Sequence, residues 1–336
     1  MMKRIMCLLL CATAALLVCA CDNTEASSSP TQAQVQQEET VSPQTPDSVA
    51  PTEDSDTLSL KNFINTFDKA PSVDENKQIY DDDTIAVTLK EIDYTAVSGP
   101  ELKLSVQNKL DKDIVVQSPY SIVNDFMITP EMNARIAASK TADCSLILPY
   151  FKLAISEITS LKKVEFALRI VDAATYNPIA ATELITVETS SKKEETEYDE
   201  SGQTAYDEND IKIVLKGINS DRAYSDGAEL IVYMVNGTDK RIAVRAEDVI
   251  VNGYDMTSAM NSTILPDKRA VDVVTIYKLD MKEYGIEEID SVKVSFTIKD
   301  AETWETIDST ELISVTLPEK STDPASADEK EKQSDK

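Results

Sequence analysis

Apolar and polar residues alternate along several short stretches of the chain, and this pattern predicts β-strands. Ile85, Val87 and Leu89 are separated by Ala86, Thr88 and Lys90. Strict alternation gives a strand one packed face and one solvated face. The same pattern recurs at Leu102, Leu104 and Val106, at Val164, Phe166, Leu168 and Ile170, and at Val292, Val294, Phe296 and Ile298. Single helical turns are predicted over residues 151–158 and 279–284.

The strand pattern occurs twice in the chain. Residues 80–90 match residues 206–216 at an offset of 126, and further on the offset becomes 128. Around Cys144 the pattern leaves the register open. Matched pairs at the second offset are Gly99 with Gly227, Asn108 with Asn236, Val123-Asn124 with Val251-Asn252, Asp172-Ala173 with Asp300-Ala301, and Thr182-Glu183-Leu184-Ile185 with Thr310-Glu311-Leu312-Ile313.

About seven or eight short strands in each copy predict a sandwich of two sheets. We therefore expect an all-β chain with two tandem immunoglobulin-like β-sandwich domains, at residues 79–190 and 205–318, joined by a charged linker at 191–204. The Cys…Trp…Cys core of antibody domains is absent from the sequence. "Immunoglobulin-like" consequently describes the architecture alone.

One strand of the second copy departs from alternation. Leu230, Val232 and Met234 would face one way, but the intervening residues Ile231, Tyr233 and Val235 are apolar too. Such a strand is either covered on both faces or exposes an apolar patch for an interface. We expect burial at a contact between the two domains.

The first residues have the layout of an export signal. Lys3 and Arg4 precede an uncharged run rich in Leu and Ala, and small residues precede Cys21. This is the order of a secretory signal, and the run is shorter than the roughly 20 residues that span a bilayer. Residues 18–21, Val-Cys-Ala-Cys, resemble a bacterial lipobox. The resemblance implies a lipoprotein signal peptide at 1–20 and a diacylglyceryl group on the Cys21 sulfur, with Cys19 the poorer candidate. It further implies anchoring to the outer face of a bacterial cell membrane. An ordinary cleaved signal is the alternative.

Residues 21–78 are predicted to be a disordered tether, because few large apolar groups accompany their Ser, Thr, Gln, Glu and Pro. Within it Leu60, Phe63, Ile64 and Phe67 have the spacing of one helical face, which predicts a short helix at 58–69. We expect this helix to dock on the first domain, with a membrane contact or a partner-binding helix as alternatives. The charged residues 319–336 are predicted to form a disordered tail.

Composition excludes several functions. The chain has 33 basic and 60 acidic residues, and loss of residues 1–20 moves its net charge from −27 to −29. Such a surface repels nucleic acid phosphates, so we expect no nucleic acid partner.

Histidine is absent, which removes imidazole-dependent nucleophiles and zinc sites that contain histidine. After cleavage Cys21 and Cys144 are the only cysteines, so no intramolecular disulfide remains, and Cys144 is expected to be a small buried hydrophobe. No glycine motif for phosphates occurs. We expect no enzymatic activity and no cofactor beyond the lipid.

Two groups of side chains are candidate sites. Acidic residues precede the first strand of each copy, and such clusters can bind Ca²⁺, although solvated charges are the commoner outcome. They are Asp81, Asp82, Asp83, Asp207, Glu208 and Asp210. Tyr176 and Trp304 follow an Asp-Ala start in a predicted hairpin, where a ring either contacts a ligand or folds back over its own sandwich. We expect the rings to fold back.

Several strings in the second copy carry a resemblance to a known family. They are Gly227-Ala228-Glu229-Leu230, Asn236 with Asp239-Lys240, residues 249–254, and Asp300-Ala301-Glu302-Thr303-Trp304. These strings resemble a repeat of surface lipoproteins from clostridial gut bacteria, which is similar to an immunoglobulin-like domain family of secreted bacterial proteins without established activity. The resemblance spans about residues 79–317 and implies a fold, with no catalytic residues to transfer.

The function we expect is that of a membrane-anchored extracytoplasmic lipoprotein that displays two β-sandwich modules. Its partners would be the membrane, through the lipid, and a protein or envelope component. A solute-capturing lipoprotein serving a transporter is the alternative, although such proteins are usually α/β with two lobes. A carboxylate-based cell-wall hydrolase is a weaker one, which would need a cleft lined by paired acids.

Overall fold

The computed structural model describes residues 55–193, 197–219 and 227–317, and this part of the chain is mostly β-sheet. The signal sequence, Cys21, the tether up to residue 54 and the tail from residue 318 lie outside the described residues. Among the described helices, none has the length and apolar character needed to cross a membrane.

The first repeat begins its strands at Lys77 and contains one short helix, α2. Its elements in chain order are β1 (Lys77–Asp81), β2 (Ile85–Asp93), β3 (Glu101–Asn108), β4 (Ile114–Gln117), β5 (Ser121–Val123), β6 (Phe126–Ile128), β7 (Asn133–Ile136), β8 (Thr141–Ile147), α2 (Tyr150–Ile155), β9 (Lys163–Phe166), β10 (Arg169–Asp172), β11 (Pro178–Ala181) and β12 (Ile185–Glu188).

The first repeat has two layers of strands. One layer is the sheet β1-β2-β3-β8, and the other divides into β11-β10-β4-β7 and β12-β9-β5-β6. Leu104 from the first layer and Val116 and Phe166 from the second meet in one buried cluster. Pro119 separates β4 from β5, because proline cannot donate a backbone hydrogen bond within a sheet.

The second repeat follows the same order of elements, and two of its strands, β16 (Ile242–Val251) and β21 (Val292–Asp300), each span the positions of two strands in the first repeat. Its elements are β13 (Gln203–Glu208), β14 (Ile211–Asn219), β15 (Gly227–Asn236), β16 (Ile242–Val251), β17 (Tyr254–Asp255), β18 (Ser258–Ala259), β19 (Asn261–Ile264), β20 (Lys268–Tyr277), α3 (Lys278–Glu283), β21 (Val292–Asp300), β22 (Thr306–Ser309) and β23 (Ile313–Ser314). One layer is β13-β14-β15-β20 and the other is β17-β16-β21-β22 with β19 and β23. Where the first repeat has Pro119, β16 continues through Glu247 with only a shift of register.

Equivalent hydrogen bonds establish the duplication in three dimensions. The buried side-chain amide of Asn108 donates to the carbonyls of Lys112, Ile136 and Ala137, at 2.8, 3.3 and 3.0 Å. Asn236 donates to the carbonyls of Lys240, Ile264 and Leu265, at 2.8, 3.0 and 3.1 Å. Each of these positions is displaced by 128 residues.

The register around Cys144 also follows from the strand pairing. Leu104 pairs with Cys144 between β3 and β8, and Val232 pairs with Asp272 between β15 and β20. Cys144 and Asp272 are therefore equivalent, and the offset of 128 continues through the segment where the sequence pattern alone left it open. The helical turns predicted near 151–158 and 279–284 are confirmed as α2 and α3.

Helix α1 (Ser55–Thr66) and the chain after it pack on the first repeat. The Phe67 ring is buried and meets Tyr150 edge-on, with ring centroids 5.3 Å apart. The amide of Asp68 donates to the Thr159 carbonyl at 2.8 Å, and the Tyr94 hydroxyl donates to the Pro71 carbonyl at 3.0 Å. The expected docking of this helix on the first repeat is confirmed. The expectation of a disordered tether up to residue 78 is wrong for the residues that follow the helix. The aromatic residues of this segment bury enough apolar surface to hold it in place.

A shared sheet joins the two repeats. Strand β6 of the first repeat pairs in parallel with β20 of the second, with Phe126 opposite Arg269 and Met127 opposite Ala270. Tyr233 is fully buried in the cluster that forms the core of the first repeat, and Ile231 and Val235 pack against that cluster. The expected burial of this strand face between the repeats is confirmed.

The apolar face of β15 has no counterpart in the first repeat. At the positions equivalent to Ile231, Tyr233 and Val235, strand β3 has Lys103, Ser105 and Gln107. The outer face of β3 is thus polar, whereas the equivalent face of β15 is apolar because the first repeat covers it. The residues of this strand face therefore differ between the two copies at the place where the first repeat covers the second.

Polar contacts and an aromatic stack complete the junction. Tyr198, from the segment between the repeats, stacks on Tyr233 with centroids 4.8 Å apart and lies 5.3 Å from the Phe126 ring. Lys152 Nζ lies 2.6 Å from a carboxylate oxygen of Asp272, and the Lys268 and Asp125 side chains approach to 2.7 Å. The junction therefore combines apolar burial with ion pairs at its edge.

Candidate interaction surface

Each repeat has two ends, which we name by their landmarks. The turn end contains the turn after β10 or β21, with Tyr176 or Trp304. The helix end contains α2 or α3, together with the turn at Asn124 or Asn252. The exposed aromatic residues of the described chain lie at these ends, so both ends are candidate interaction surfaces.

At the turn ends, an aspartate fixes the turn that carries the aromatic residue. Asp172 Oδ1 accepts hydrogen bonds from the amides of Ala174 and Thr175, at 3.0 and 3.1 Å. These bonds, that from Ala174 foremost, hold the pKa of the Asp172 carboxyl below its ordinary value. Asp300 makes the same contacts with the amides of Glu302 and Thr303, at 2.9 and 3.1 Å. The two turns are built alike.

The rings of these turns point to solvent. Tyr176 and Trp304 both have left-handed backbone, with φ of 58° and 62°. Their side chains are 61% and 53% exposed. The expectation that these rings fold back over their own sandwich is wrong, because both side chains remain more than half exposed at the tips of their turns. Both residues thus remain available as contact aromatics.

At the helix end of the second repeat, two tyrosine rings stack on one another in solvent. The centroids of Tyr254 and Tyr284 are 4.8 Å apart with an interplanar angle of 16°. They are 47% and 42% exposed, and Tyr277 and Leu279 beside them are exposed as well. We call these four residues, Tyr254, Tyr277, Leu279 and Tyr284, the aromatic surface.

Backbone contacts hold the aromatic surface in place. Asn252, at φ 51°, donates from its side-chain amide to the Glu288 carbonyl at 2.8 Å and accepts from the amides of Asp290 and Ser291, at 2.8 and 3.0 Å. The amide of Thr257 donates to Asp280 Oδ2 at 2.8 Å, which ties the chain after Tyr254 to α3. Both tyrosines therefore sit on anchored backbone, so little conformational freedom would be lost on binding.

The chain around the aromatic surface is acidic. Residues 278–290 contain two lysines, Lys278 and Lys282, and five acids, Asp280, Glu283, Glu287, Glu288 and Asp290. Asp255 follows Tyr254 directly and is exposed. Tyrosine faces carry negative electrostatic potential, so rings and carboxylates together favour a cationic ligand.

Sequence patterns did not single out the aromatic surface. The signal that identifies it is the alignment of the two copies, in which Tyr254 occupies the position of Phe126. The meaning of that replacement depends on knowing that Phe126 is buried by the second repeat, which only the structure provides.

The acidic residues proposed as weak calcium ligands either have other contacts or are exposed. Asp82 accepts from the Tyr80 hydroxyl at 2.8 Å and from the amides of Thr84 and Ile85, at 2.7 and 2.8 Å, and Asp81 pairs with Lys109. Asp83, Asp207, Glu208 and Asp210 are exposed. Across the described ranges, no three His, Cys, Asp or Glu side chains are placed to hold a metal ion together.

Cys144 is half-buried on β8, packed against the core of the first repeat. Burial raises the pKa of its thiol to about 11, with a smaller contribution from the charge of Asp143. The thiolate, which is the reactive form of cysteine, is therefore scarce at neutral pH. Cys21, the predicted lipidation site, lies outside the described residues.

A pocket open to solvent lies beside the junction of the repeats. Its lining is shared by the helix end of the first repeat and the segment that follows β12, and includes Asn124, Phe126, Glu157, Lys162 and Tyr198. The Asn124 amide and carbonyl are already used, by the Ser160 carbonyl and the amides of Lys162 and Lys163. The pocket is therefore part of the junction. The polar groups of the Asn124 side chain that line it already bond to backbone groups of the same repeat.

No protein-family model and no curated protein matches the chain. Among solved structures, the chain is similar to the YadV chaperone, at 14% identity and a TM-score of 0.20, with 63% of this chain and 92% of that one covered. A protein of unknown function from Porphyromonas gingivalis W83 is matched at 12% identity and a TM-score of 0.18, with 65% and 89% covered.

The Salmonella enterica SafA pilin in complex with the SafB chaperone is matched at 10% identity and a TM-score of 0.17, with 63% and 89% covered. At these TM-scores the superpositions support no argument about activity or partners. The fold class follows from the chain's own strand pairing, and it is all-β with sandwich-like sheets in both repeats.

Proposed function

We propose that the mature chain is a non-catalytic lipoprotein, anchored through Cys21 to the outer face of a bacterial membrane, that displays its two repeats for contact with a protein or envelope component. The observation that carries this proposal is the aromatic surface, two stacked tyrosines on anchored backbone in solvent. Contiguous exposed apolar groups of this kind mark interaction sites on soluble proteins.

The anchoring half of the proposal rests on the sequence before Cys21. Acyl chains contribute about 0.8 kcal/mol for each buried CH₂, and two or more chains give stable attachment where one does not. The mature net charge of −29 repels anionic headgroups, so the lipid would supply the membrane affinity. The resemblance to repeats of clostridial surface lipoproteins supports the same assignment.

The display half rests on the junction between the repeats. The shared sheet, the buried Tyr233 ring and the Lys152–Asp272 and Lys268–Asp125 pairs hold the two repeats together. A partner that contacts the second repeat therefore binds a unit in which the two repeats are held together. Such a unit presents a surface in a fixed orientation, which lowers the entropy lost on binding.

Cell fractionation tests the anchor. Cys21→Ser removes the acceptor sulfur, and Cys19→Ser is the matched control because Cys19 lies two residues earlier in the same motif. We expect Cys21→Ser to move the protein from the membrane fraction to the soluble fraction, while Cys19→Ser stays with membranes. Protease added to intact cells should degrade the anchored protein. Membrane retention of Cys21→Ser, or full protection from protease, would contradict the proposal.

A further inference from the structure

We propose that the aromatic surface is a docking site for a partner protein that presents a lysine- and arginine-bearing β-strand edge. This inference rests on the proposed function, since it names the partner's chemistry for a surface that the chain displays. It follows from a comparison of the two helix ends, one of which is already docked within the chain.

The helix ends of the two repeats are equivalent in detail. Asn124 and Asn252 both have left-handed backbone, with φ of 48° and 51°. Each asparagine side chain donates to one backbone carbonyl and accepts from two backbone amides, and each partner in the second repeat lies 128 residues after its counterpart. Phe126 and Tyr254 follow two residues after these asparagines, so they occupy the same place on the same turn.

In the first repeat, a cationic strand edge covers this place. Arg269, near the start of β20, lies with its guanidinium carbon 5.2 Å from the centroid of the Phe126 ring. Lys268 Nζ lies 2.7 Å from Asp125 Oδ1, and Phe126 pairs with Arg269 in the shared sheet. The occupant of this helix end is thus a strand edge that begins with a Lys-Arg pair, held by cation–π contact, an ion pair and backbone pairing.

In the second repeat, no residue that the structure describes covers the equivalent place, and its apolar side chains are exposed. Of the ten exposed large hydrophobic residues in the described chain, four belong to the aromatic surface. In the first repeat Phe126 is buried, whereas Tyr254 is about half exposed. The helix end of the second repeat therefore has the same backbone geometry as that of the first, but no described strand edge covers it.

Charge identifies the kind of partner. Residues 150–162 of the first repeat contain Lys152, Lys162 and the single acid Glu157. The equivalent residues 278–290 contain five acids and two lysines. The helix end of the second repeat has thus become anionic around exposed tyrosine faces, which strengthens attraction for arginine and lysine.

A second copy of the chain does not offer the matching surface. Strand β20 is already occupied by β6. Its equivalent in the first repeat, β8, has Thr141 in the position of Arg269, and the sheet face beside it has Lys103, Ser105 and Gln107 where the second repeat has Ile231, Tyr233 and Val235. The complementary strand edge must therefore come from a different protein.

A peptide titration with the full mature chain tests the inference. The probe is a fluorescent synthetic peptide with the sequence of β20, Lys268–Tyr277, and its control is the same peptide with glutamate in place of its lysine and arginine. Fluorescence anisotropy should detect binding of the first peptide, about tenfold tighter or more than the second, and weaker binding as salt rises. Equal binding of the two peptides would overturn the proposal.

Substitutions then locate the site. The double variant Tyr254→Ser, Tyr284→Ser should lower the affinity for the β20 peptide by about tenfold or more, whereas Tyr176→Ser, an exposed tyrosine at a turn end, should leave it unchanged. Circular dichroism verifies folding, which these exposed positions should not disturb. An unchanged affinity in the double variant overturns the proposal. So does tyrosine-dependent binding of an N-acetylglucosamine oligomer in place of the peptide. The titration is done in solution, so its outcome is independent of the Cys21 fractionation.

Discussion

The rings of Tyr198 and Tyr233 stack with centroids 4.8 Å apart and an interplanar angle of 28°. Tyr198 comes from the segment between the repeats and Tyr233 from the central strand β15, and the Tyr233 hydroxyl donates to Glu200 at 2.7 Å. The stack also approaches Phe126 of the first repeat. Three separate parts of the chain therefore meet at one aromatic contact, with the buried Tyr233 ring at its centre.

Replacement of Tyr233 should destabilise the junction. Tyr233→Ala removes a fully buried ring and should lower the free energy of unfolding by about 3–5 kcal/mol, the usual cost of a large aromatic deletion in a core. Ser105→Ala, at the equivalent position of the polar β3 face, is the control and should cost much less. Urea unfolding gives the energies, and small-angle scattering should detect a larger radius of gyration for Tyr233→Ala. Equal losses for the two variants would refute the assigned role of the junction.

The paired asparagines should be equally important in the two repeats. Asn108→Ala and Asn236→Ala each leave three buried or half-buried carbonyls without their side-chain donor, so each should lower the free energy of unfolding by about 1–3 kcal/mol. Asn133→Ala, on an exposed position of β7, should change stability little. The prediction fails if only one repeat is sensitive to loss of its asparagine, as measured by urea unfolding.

Acid should weaken the junction through two carboxylates. The hydrogen bond from Lys268 lowers the pKa of Asp125, and that from the Tyr233 hydroxyl lowers the pKa of Glu200. Because both folded-state pKa values lie below the unfolded values of about 3.9 and 4.3, their contribution is complete above about pH 5 and is lost as the pH falls through the folded-state values. The stability difference between the wild type and Asp125→Asn should therefore shrink below about pH 4. A difference that stays constant from pH 7 to pH 3 would exclude Asp125 as a source of this dependence.

Cys144 should react slowly in the folded protein. Its pKa of about 11 leaves roughly a hundredfold less thiolate at pH 8 than an ordinary cysteine has, and half-burial restricts access further. Iodoacetamide labelling followed by mass spectrometry should therefore be slow in buffer and fast in concentrated urea. Rapid labelling of the native chain would instead indicate a reactive thiol.

The alternation of apolar and polar residues was sufficient to predict strands β2, β3, β9, β10 and β21 and the β class of both repeats. The two helical turns were predicted as well. The break at Pro119 was not predicted, although proline lacks the N–H that a continuous strand needs. The continuous apolar strand at Leu230–Val235 predicted a covered second face, and the cover proved to be the first repeat. The predicted features depend on local periodicity, which the sequence records directly.

The remaining features depend on contacts distant in sequence. The docking of Phe67 was predicted from helical spacing, but Asp68 to Pro71 resemble a tether by composition. Hydrogen bonds with the Thr159 carbonyl and the Tyr94 hydroxyl hold these residues on the first repeat. Likewise, the parallel pairing of β6 with β20 involves two short segments about 140 residues apart, for which no periodicity exists. The identification of Tyr254 as a docking residue depends on the contact between its equivalent, Phe126, and Arg269, which sequence periodicity does not record.

Site-specific crosslinking on living cells tests the central claim, that the anchored chain displays the helix end of its second repeat to a partner protein. A photoreactive benzoylphenylalanine replaces Tyr254 in one strain and Val97, an exposed residue of the first repeat, in a control strain. We predict a discrete protein adduct at position 254 that is absent at position 97, that disappears in high salt, and whose crosslinked peptide contains lysine or arginine. Identical products at the two positions, or no adduct at position 254, would contradict the account.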